Sequence, residues 1–224
     1  VGISLSKLLA VYQLSIYSLP FNVVVLLFLY SLKLRFYPKK QLGEVLLQLY
    51  SPEKNLYYHS QARSRFKWLE FFPISLPFHG EWTVAQAHNG EITHKGEWAH
   101  AWDFIIIDKE EKQFRGEGNN VEDYFCYNKL IVSPAYGNVV DIIDGIEDNE
   151  IGEVNIIHNW GNTIVIKHAE YLYSQISHIK PGSFKVKKGD SLKKGDIIAQ
   201  CGNSGRSPFP HIHFQIQATP FIGS

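Results

Sequence analysis

Apolar and polar positions along this chain form two textures that meet near Pro73. Across residues 16–34 nearly every position is apolar or aromatic, with Ile16, Tyr17, Leu19 and Phe21 leading into the run from Val23 to Tyr30. No charge falls between Lys7 and Lys33. A bilayer-spanning helix needs about 20 such residues. Pro20 is tolerated near the end of a membrane helix, and Tyr17 and Tyr30 suit its two interfaces. The pattern therefore predicts a transmembrane helix, an N-terminal hydrophobic extension over residues 1–35. A buried helix of a soluble domain is the plainer alternative. A cleaved signal sequence fits less well. It wants a small-residue cleavage site, and Lys33, Arg35, Lys39 and Lys40 follow instead. Those cations favour the cytoplasmic side of a membrane, in conflict with a downstream domain that faces outward. Residues 36–72 read as a connector without an assigned role. Within it, Arg63, Arg65 and Lys67 alternate with Phe66 and Trp68, as in a half-buried strand.

Beyond Pro73 the period drops to two. Short β-branched and aromatic runs at 103–108, 138–143, 153–157, 163–168, 171–178, 197–201 and 213–217 are separated by Gly, Asn, Asp and Pro turn signals. Strands so spaced, with no long helical pattern between them, predict an all-β domain over residues 73–224, an antiparallel sandwich or barrel.

Composition narrows this picture. The chain has 224 residues, 45% hydrophobic and 14% aromatic, which is enough for one packed domain plus an extension. Lys and Arg total 22 and Asp and Glu total 22. With no basic excess, nucleic acid is not the expected partner. The chain has no Met and starts at Val1, as expected of a fragment or a trimmed chain. Cys126 and Cys201 are too few for a disulfide framework. Two free, semi-buried thiols are the expected state.

The chemistry concentrates in histidine. His211 and His213 lie two apart at the mouth of a predicted strand, so alternation puts both on one face. Asp103 heads the buried run 104–107, His178 ends another strand, and His94 lies in a Gly-rich stretch upstream. Catalytic zinc takes about three protein ligands from His, Asp or Glu and keeps a further position open. Further imidazoles can then hold or deprotonate water and stabilise an oxyanion. A lone His-x-His is weak evidence; together with Asp103, His94 and His178 it points to a zinc site.

These residues, in their order, resemble the lysostaphin-like (LytM-type) zinc metalloendopeptidase domains, of the duplicated hybrid motif type of β-fold. Four stretches within residues 75–217 carry the resemblance. The first is His94-Lys95-Gly96 with Ala101-Trp102-Asp103-Phe104. The second runs from Ser133 to Val140. The third is Gly161 to His168 followed by Leu172 to His178. The fourth comprises Val186 to Asp196, Gly202-Asn203-Ser204-Gly205 and Pro210-His211-Ile212-His213-Phe214. The resemblance implies Zn2+ held by His94, Asp103 and His213. His178 and His211 would flank the water and polarise the scissile carbonyl, and Asn203 and Ser204 would border the substrate cleft. It implies hydrolysis of peptide bonds in peptidoglycan cross-link peptides, on the outer side of a bacterial cell envelope.

In many relatives the first histidine lies four before the Asp, where this chain has Ala99. His100 lies three before Asp103, which on a regular strand means the opposite face. His94 is therefore preferred over His100 as first ligand. Other histidines, His59, His79, His88, His158 and His168, read as surface, turn or strand-end residues. A non-catalytic wall-binding or regulatory module of the same fold is the alternative. A histidine phosphocarrier is disfavoured by the carboxylate of Asp103, which would repel phosphate.

Overall fold

The computed structural model describes Gln61 and residues 72–223, apart from 91, 96 and 97. The expected membrane span and most of the connector lie outside the described residues. Among those described, no helix is long and apolar enough to cross a membrane.

The described residues form nine strands: β1 (Thr83–Gln86), β2 (Ala101–Ile105), β3 (Leu130–Val132), β4 (Gly137–Ile143), β5 (Asn162–Ala169), β6 (Leu172–Ile179), β7 (Ser191–Leu192), β8 (Ile197–Gln200) and β9 (Ile212–Gln217). Seven of them form one sheet in the order β1-β2-β9-β6-β5-β4-β7, and β3 pairs with β8 in a second. Every pairing is antiparallel. The all-β, antiparallel architecture expected from the period-two pattern is what the chain adopts.

The large sheet has two faces of different chemistry, and simple alternation along the strands makes them. Phe104, Val139, Ile164, Ile166, Ile176, Ile212 and Phe214 are buried in the main core, together with Ile131, Ile198 and Ala199 of the small sheet. The opposite face carries Asp103, Thr163, Gln175, Ser177, His213, Gln215 and Gln217. Most of these are polar side chains with almost no exposure. Trp160, Val165, Tyr173 and Ile222 form a minor apolar cluster. Each polar group buried beside it must find a partner or cost stability. The polar face is therefore a hydrogen-bonded layer, and the site is built within it.

Two irregularities aim side chains at that layer. A register shift between Val84 and Gln86 brings Gln86 opposite Asp103. A β-bulge of this kind re-aims a side chain at a strand end. The second is at His178, whose φ is +62°. Strict alternation would send position 178 to the core side along with Ile176. The left-handed turn instead lets Ile176 and Ile179, three apart, both enter the core. It swings the His178 ring to within 4.7 Å of the His211 ring. Such a conformation costs a non-glycine residue about 1–3 kcal/mol and is typical of functional positions.

Gly161 sits where the chain before β5 crosses the loop after β8. Its φ is +61°, and a Cβ there would strike the Ser204 backbone carbonyl. Glycine alone lets the two backbones pass this closely, and the Ser204 carbonyl is the group that holds His178.

The run 153–157 is not a strand. The Asn155 side-chain oxygen accepts hydrogen bonds from the backbone amides of Ile157 and His158, at 3.1 and 3.0 Å. That Asx-type turn takes the backbone out of the extended form and leaves Val154, Ile156 and Ile157 exposed. The run 103–108 ends as a strand at Ile105, because Asp108 accepts from the amides of Glu110 and Lys112 in a turn. Strands β1, β3 and β7, two to four residues long, are too short for alternation to reveal. Cys126 and Cys201 are free and buried.

Candidate metal centre

Asp103 and His213 face each other across the β2–β9 pair. His213 Nδ1 lies 2.9 Å from Asp103 Oδ1. His94 arrives from the loop after β1, with Nε2 at 3.3 Å from Asp103 Oδ2. One ligand atom from each of the three residues lies within 4.8 Å of the others. His94 is 1% exposed and His213 5%, so this junction is removed from bulk water.

Gln86, which the sequence pattern did not single out, fastens the loop to the carboxylate. Its Nε2 donates to Asp103 Oδ2 at 2.9 Å and to Thr93 Oγ1 at 2.7 Å. Its Oε1 accepts from the amides of Ile92 and Thr93. One side chain thus sets both Asp103 and the approach of His94. By contrast, His100 lies exposed and stacks on His88 at 4.8 Å, away from the junction.

Each imidazole of the group is held through one nitrogen, so that the other faces the centre. His94 Nδ1 donates to the Ala87 carbonyl at 3.1 Å. His178 Nδ1 donates to the Ser204 carbonyl at 2.8 Å, and His211 Nδ1 to the Phe209 carbonyl at 2.9 Å. His213 Nε2 lies 3.1 Å from Gln215 Oε1. Carbonyl oxygens only accept, so the nitrogen facing each of them carries the proton. The inward nitrogens, His94 Nε2, His178 Nε2, His211 Nε2 and His213 Nδ1, are thereby left as lone pairs. His94 Nε2 is buried and makes no hydrogen bond of good geometry.

This donor set fits a divalent cation. With its proton on Nε2, His213 presents a lone pair to a carboxylate oxygen at hydrogen-bond distance, a contact that needs positive charge between the two atoms. A second proton on the ring would satisfy that pair but would leave His94 Nε2 bare. A metal ion satisfies all three groups. Two imidazoles and a carboxylate are the ligand set that suits catalytic zinc, and the second-nitrogen hydrogen bonds are those of metal-binding histidines.

The groups at the junction shift one another. Burial pushes the Asp103 carboxyl up, but the imidazoles of His213 and His94 at its two oxygens, with His211 beyond them, hold it well below the usual carboxylate range. For His94, burial pulls down while Asp103 and the Ala87 carbonyl pull up, and the result is raised. His178 lies well below the ordinary imidazole value, through burial and then the repulsion that His211 and His213 exert when protonated. His211 is lowered as well, first by burial. Both flanking imidazoles are therefore neutral at pH 7.

These shifts fix a sign for stability. His178, His211 and His168 have depressed folded values, so acid charges them more readily in the unfolded chain. Stability from these three falls as pH drops below about 6.5. His94 works the other way, stabilising below that value and losing its contribution as pH rises through its raised folded value. Asp103 adds stability above the ordinary carboxylate value and does not change in this window. Three groups oppose one. The metal-free chain is expected to lose stability between pH 7.5 and 5.5, each imidazole contributing up to about 1.4 kcal/mol per pH unit. Thermal unfolding in the presence of a chelator checks this. A melting temperature that rises on acidification would contradict it.

A cleft of about 430 Å³ opens over the centre, within the usual range of ligand sites. His94, Asp103, His178, His211 and His213 form its floor, and Ile92, Trp98, Val154, Trp160, Phe209 and Arg206 are among its walls. Trp160 packs on His213 at 5.2 Å between ring centres. Asn203 and Ser204, expected at the cleft border, are fully buried in the frame beneath it. Asn203 donates to the Asn149 carbonyl and accepts from Ser207. Ser204 Oγ donates to the Ile179 carbonyl and accepts from the Asn162 amide. Their contribution to the cleft runs through the backbone, since the Ser204 carbonyl orients His178.

Residues 122–220 match the model of Peptidase family M23. The chain carries a lysostaphin-like M23 domain. Its matched segment holds His178, His211 and His213, while His94 and Asp103 precede it, and Asp103 joins through the β2–β9 pairing. An endolysin of Staphylococcus phage 2638A is 30% identical to the chain over 101 residues, covering 42% of this chain and 20% of the endolysin. The glycyl-glycine endopeptidase ALE-1 of Staphylococcus capitis is 33% identical over 85 residues, covering 38% of this chain and 23% of that protein. Peptidoglycan DD-endopeptidase ShyB of Vibrio cholerae is 38% identical over 56 residues, covering 25% and 13%. The chain therefore matches less than a quarter of the length of each of these relatives. Among solved structures, lysostaphin from Staphylococcus simulans aligns with a TM-score of 0.43 at 17% identity, covering 66% of this chain and 48% of that one.

Proposed function

We propose that this chain is a zinc-dependent metalloendopeptidase that hydrolyses peptide bonds in peptidoglycan cross-link peptides. The observation that carries the reading is the convergence of bare His94, His213 and Asp103 ligand atoms on one buried point, beside two neutral imidazoles, at the floor of an open cleft. The match of residues 122–220 to Peptidase family M23, and the similarity to a glycyl-glycine endopeptidase and a peptidoglycan DD-endopeptidase, support the substrate class. Such a substrate places the domain on the outer side of a bacterial envelope.

His94, Asp103 and His213 would hold the zinc. When bound, zinc supplies Lewis acidity, polarising a carbonyl and lowering the pKa of water. The chain's own residues do the rest. The walls around Trp98, Val154, Trp160 and Phe209 take an extended peptide and exclude water. His178 and His211, neutral at working pH, each present a bare Nε2 above the floor. An imidazole in that state accepts a proton from the attacking water. Once protonated it donates to the developing oxyanion or to the leaving amine. Fixation by the Ser204 and Phe209 carbonyls keeps both rings aimed while this happens.

The test is a digest of purified peptidoglycan by the full chain with zinc. New amine termini should form with zinc, stop forming on chelation and form again once zinc is restored. Stoichiometric zinc binding without any released product would instead favour the non-catalytic wall-binding module.

A further inference from the structure

Three of the four imidazoles are fixed by backbone carbonyls, and the fourth is not. His213 is held by the side chain of Gln215, and Gln215 in turn meets Gln217. Alternation along β9 puts all three on the same face of the sheet. An amide side chain can present either its oxygen or its nitrogen, so Gln215 alone does not decide which nitrogen of His213 is protonated. The decision comes from the far end of the row. Gln217 Nε2 lies 2.9 Å from the Thr219 carbonyl and 2.6 Å from the Phe221 carbonyl. Both can only accept, so the NH2 of Gln217 must point there and its Oε1 must point back along the strand. That oxygen accepts from Gln215 Nε2 at 2.6 Å. Gln215 Oε1 is then turned to His213 Nε2 at 3.1 Å. Gln215 and Gln217 are 2% and 6% exposed, so water does not compete for these groups.

The anchor of the row is itself held. The segment after β9 folds back over the polar face. The Gly223 amide donates to Gln175 Oε1 at 2.7 Å, and its carbonyl accepts from Trp98 Nε1 at 2.8 Å. A Cβ on Gly223 would strike the indole of Trp160, so the turn is seated closely against that ring.

We propose that Gln215 and Gln217 are positioning residues: a two-amide relay that transmits the polarity of the C-terminal turn to His213, keeping its proton on Nε2 and its Nδ1 lone pair toward Asp103. The inference rests on the reading of His213 as a zinc ligand. Hydrogen bonds of this kind orient a ligating imidazole and raise its basicity, and losing one typically costs 10- to 100-fold in metal affinity. The relay also excludes the neutral tautomer with its proton on Nδ1, because that would set two acceptors, His213 Nε2 and Gln215 Oε1, against each other.

Two readouts on the full chain test this. The first is the 1H–15N spectrum of the histidine rings, recorded with and without zinc. A His213 Nε2–H resonance in slowed exchange with water is expected in both states, and is expected to be lost or to exchange fast in Gln215→Leu. The second is the zinc dissociation constant, measured by competition with a chromogenic chelator. Gln215→Leu should weaken binding by about 10- to 100-fold, and Gln217→Leu, one step further away, by about three- to ten-fold. Absence of a proton on Nε2 in the unsubstituted protein, or zinc binding by Gln215→Leu within twofold of it, overturns the relay. If Gln215→Leu does not fold, the unsubstituted spectrum and Gln217→Leu decide. A chain that binds no zinc but shows the Nε2–H signal overturns the metal reading and leaves the relay standing. Tight zinc binding without the signal does the reverse.

Discussion

Replacing Asp103 by Asn is expected to empty the metal centre and abolish hydrolysis while leaving the fold in place. Asp103 is the one carboxylate among four imidazoles and touches three of them, at 2.9, 3.3 and 3.7 Å. Zinc sites of four ligands bind with about 10–16 kcal/mol, or roughly 3 kcal/mol for each ligand, so losing one costs about 10²- to 10³-fold in affinity. The lost charge adds to this, since two neutral imidazoles remain as sole ligands. The side chain is of the same size, and a turned amide can still accept from Gln86 Nε2. The β2–β9 register and the core residues Phe104 and Ile212 are unaffected. Zinc per chain after dialysis, measured by elemental analysis, should fall from about one to near zero. Retention of one zinc in Asp103→Asn would contradict the ligand assignment.

The second large effect is expected at His178 and His211. Neither belongs to the three-ligand group, so His178→Ala and His211→Ala should each keep the zinc yet lose turnover by about 10²- to 10⁴-fold, the usual range for a proton-transferring group. The loss should fall on kcat more than on KM, because the proton moves in the transition state. The two variants are not equivalent in stability. His178 holds a left-handed backbone, which Asn adopts more easily than Ala. His178→Asn should therefore fold better than His178→Ala and be as inactive. Steady-state kinetics on a soluble cross-link peptide, with zinc content and melting temperature measured alongside, separates these cases. Turnover within tenfold of the parent in either Ala variant would remove that residue from the chemistry.

The sequence pattern made the large sheet legible because its long strands have clean alternation. In β9, Ile212, Phe214 and Ile216 go to the core side and His213, Gln215 and Gln217 to the polar side. The placing of His213 and Asp103 followed from that period. His94 did not. It stands on a loop, and its position is set by Gln86, which lies in a strand of four residues after a register shift. Periodicity carries no signal in so short an element. The roles of Asn203 and Ser204 were hidden for a related reason. Loop residues near a cleft look the same in sequence whether their side chains face the substrate or the frame, and here the crossing at Gly161 turns them inward. Gln215 and Gln217 could have been found by extending the face of His213 two steps further along the strand.

The three-ligand centre is tested most directly by the anomalous scattering of a crystal of the full chain grown with zinc. A single peak is expected about 2.0–2.2 Å from His94 Nε2, a carboxylate oxygen of Asp103 and His213 Nδ1. A zinc peak bound by His100 in place of His94, or a map with no peak at this junction, would contradict it.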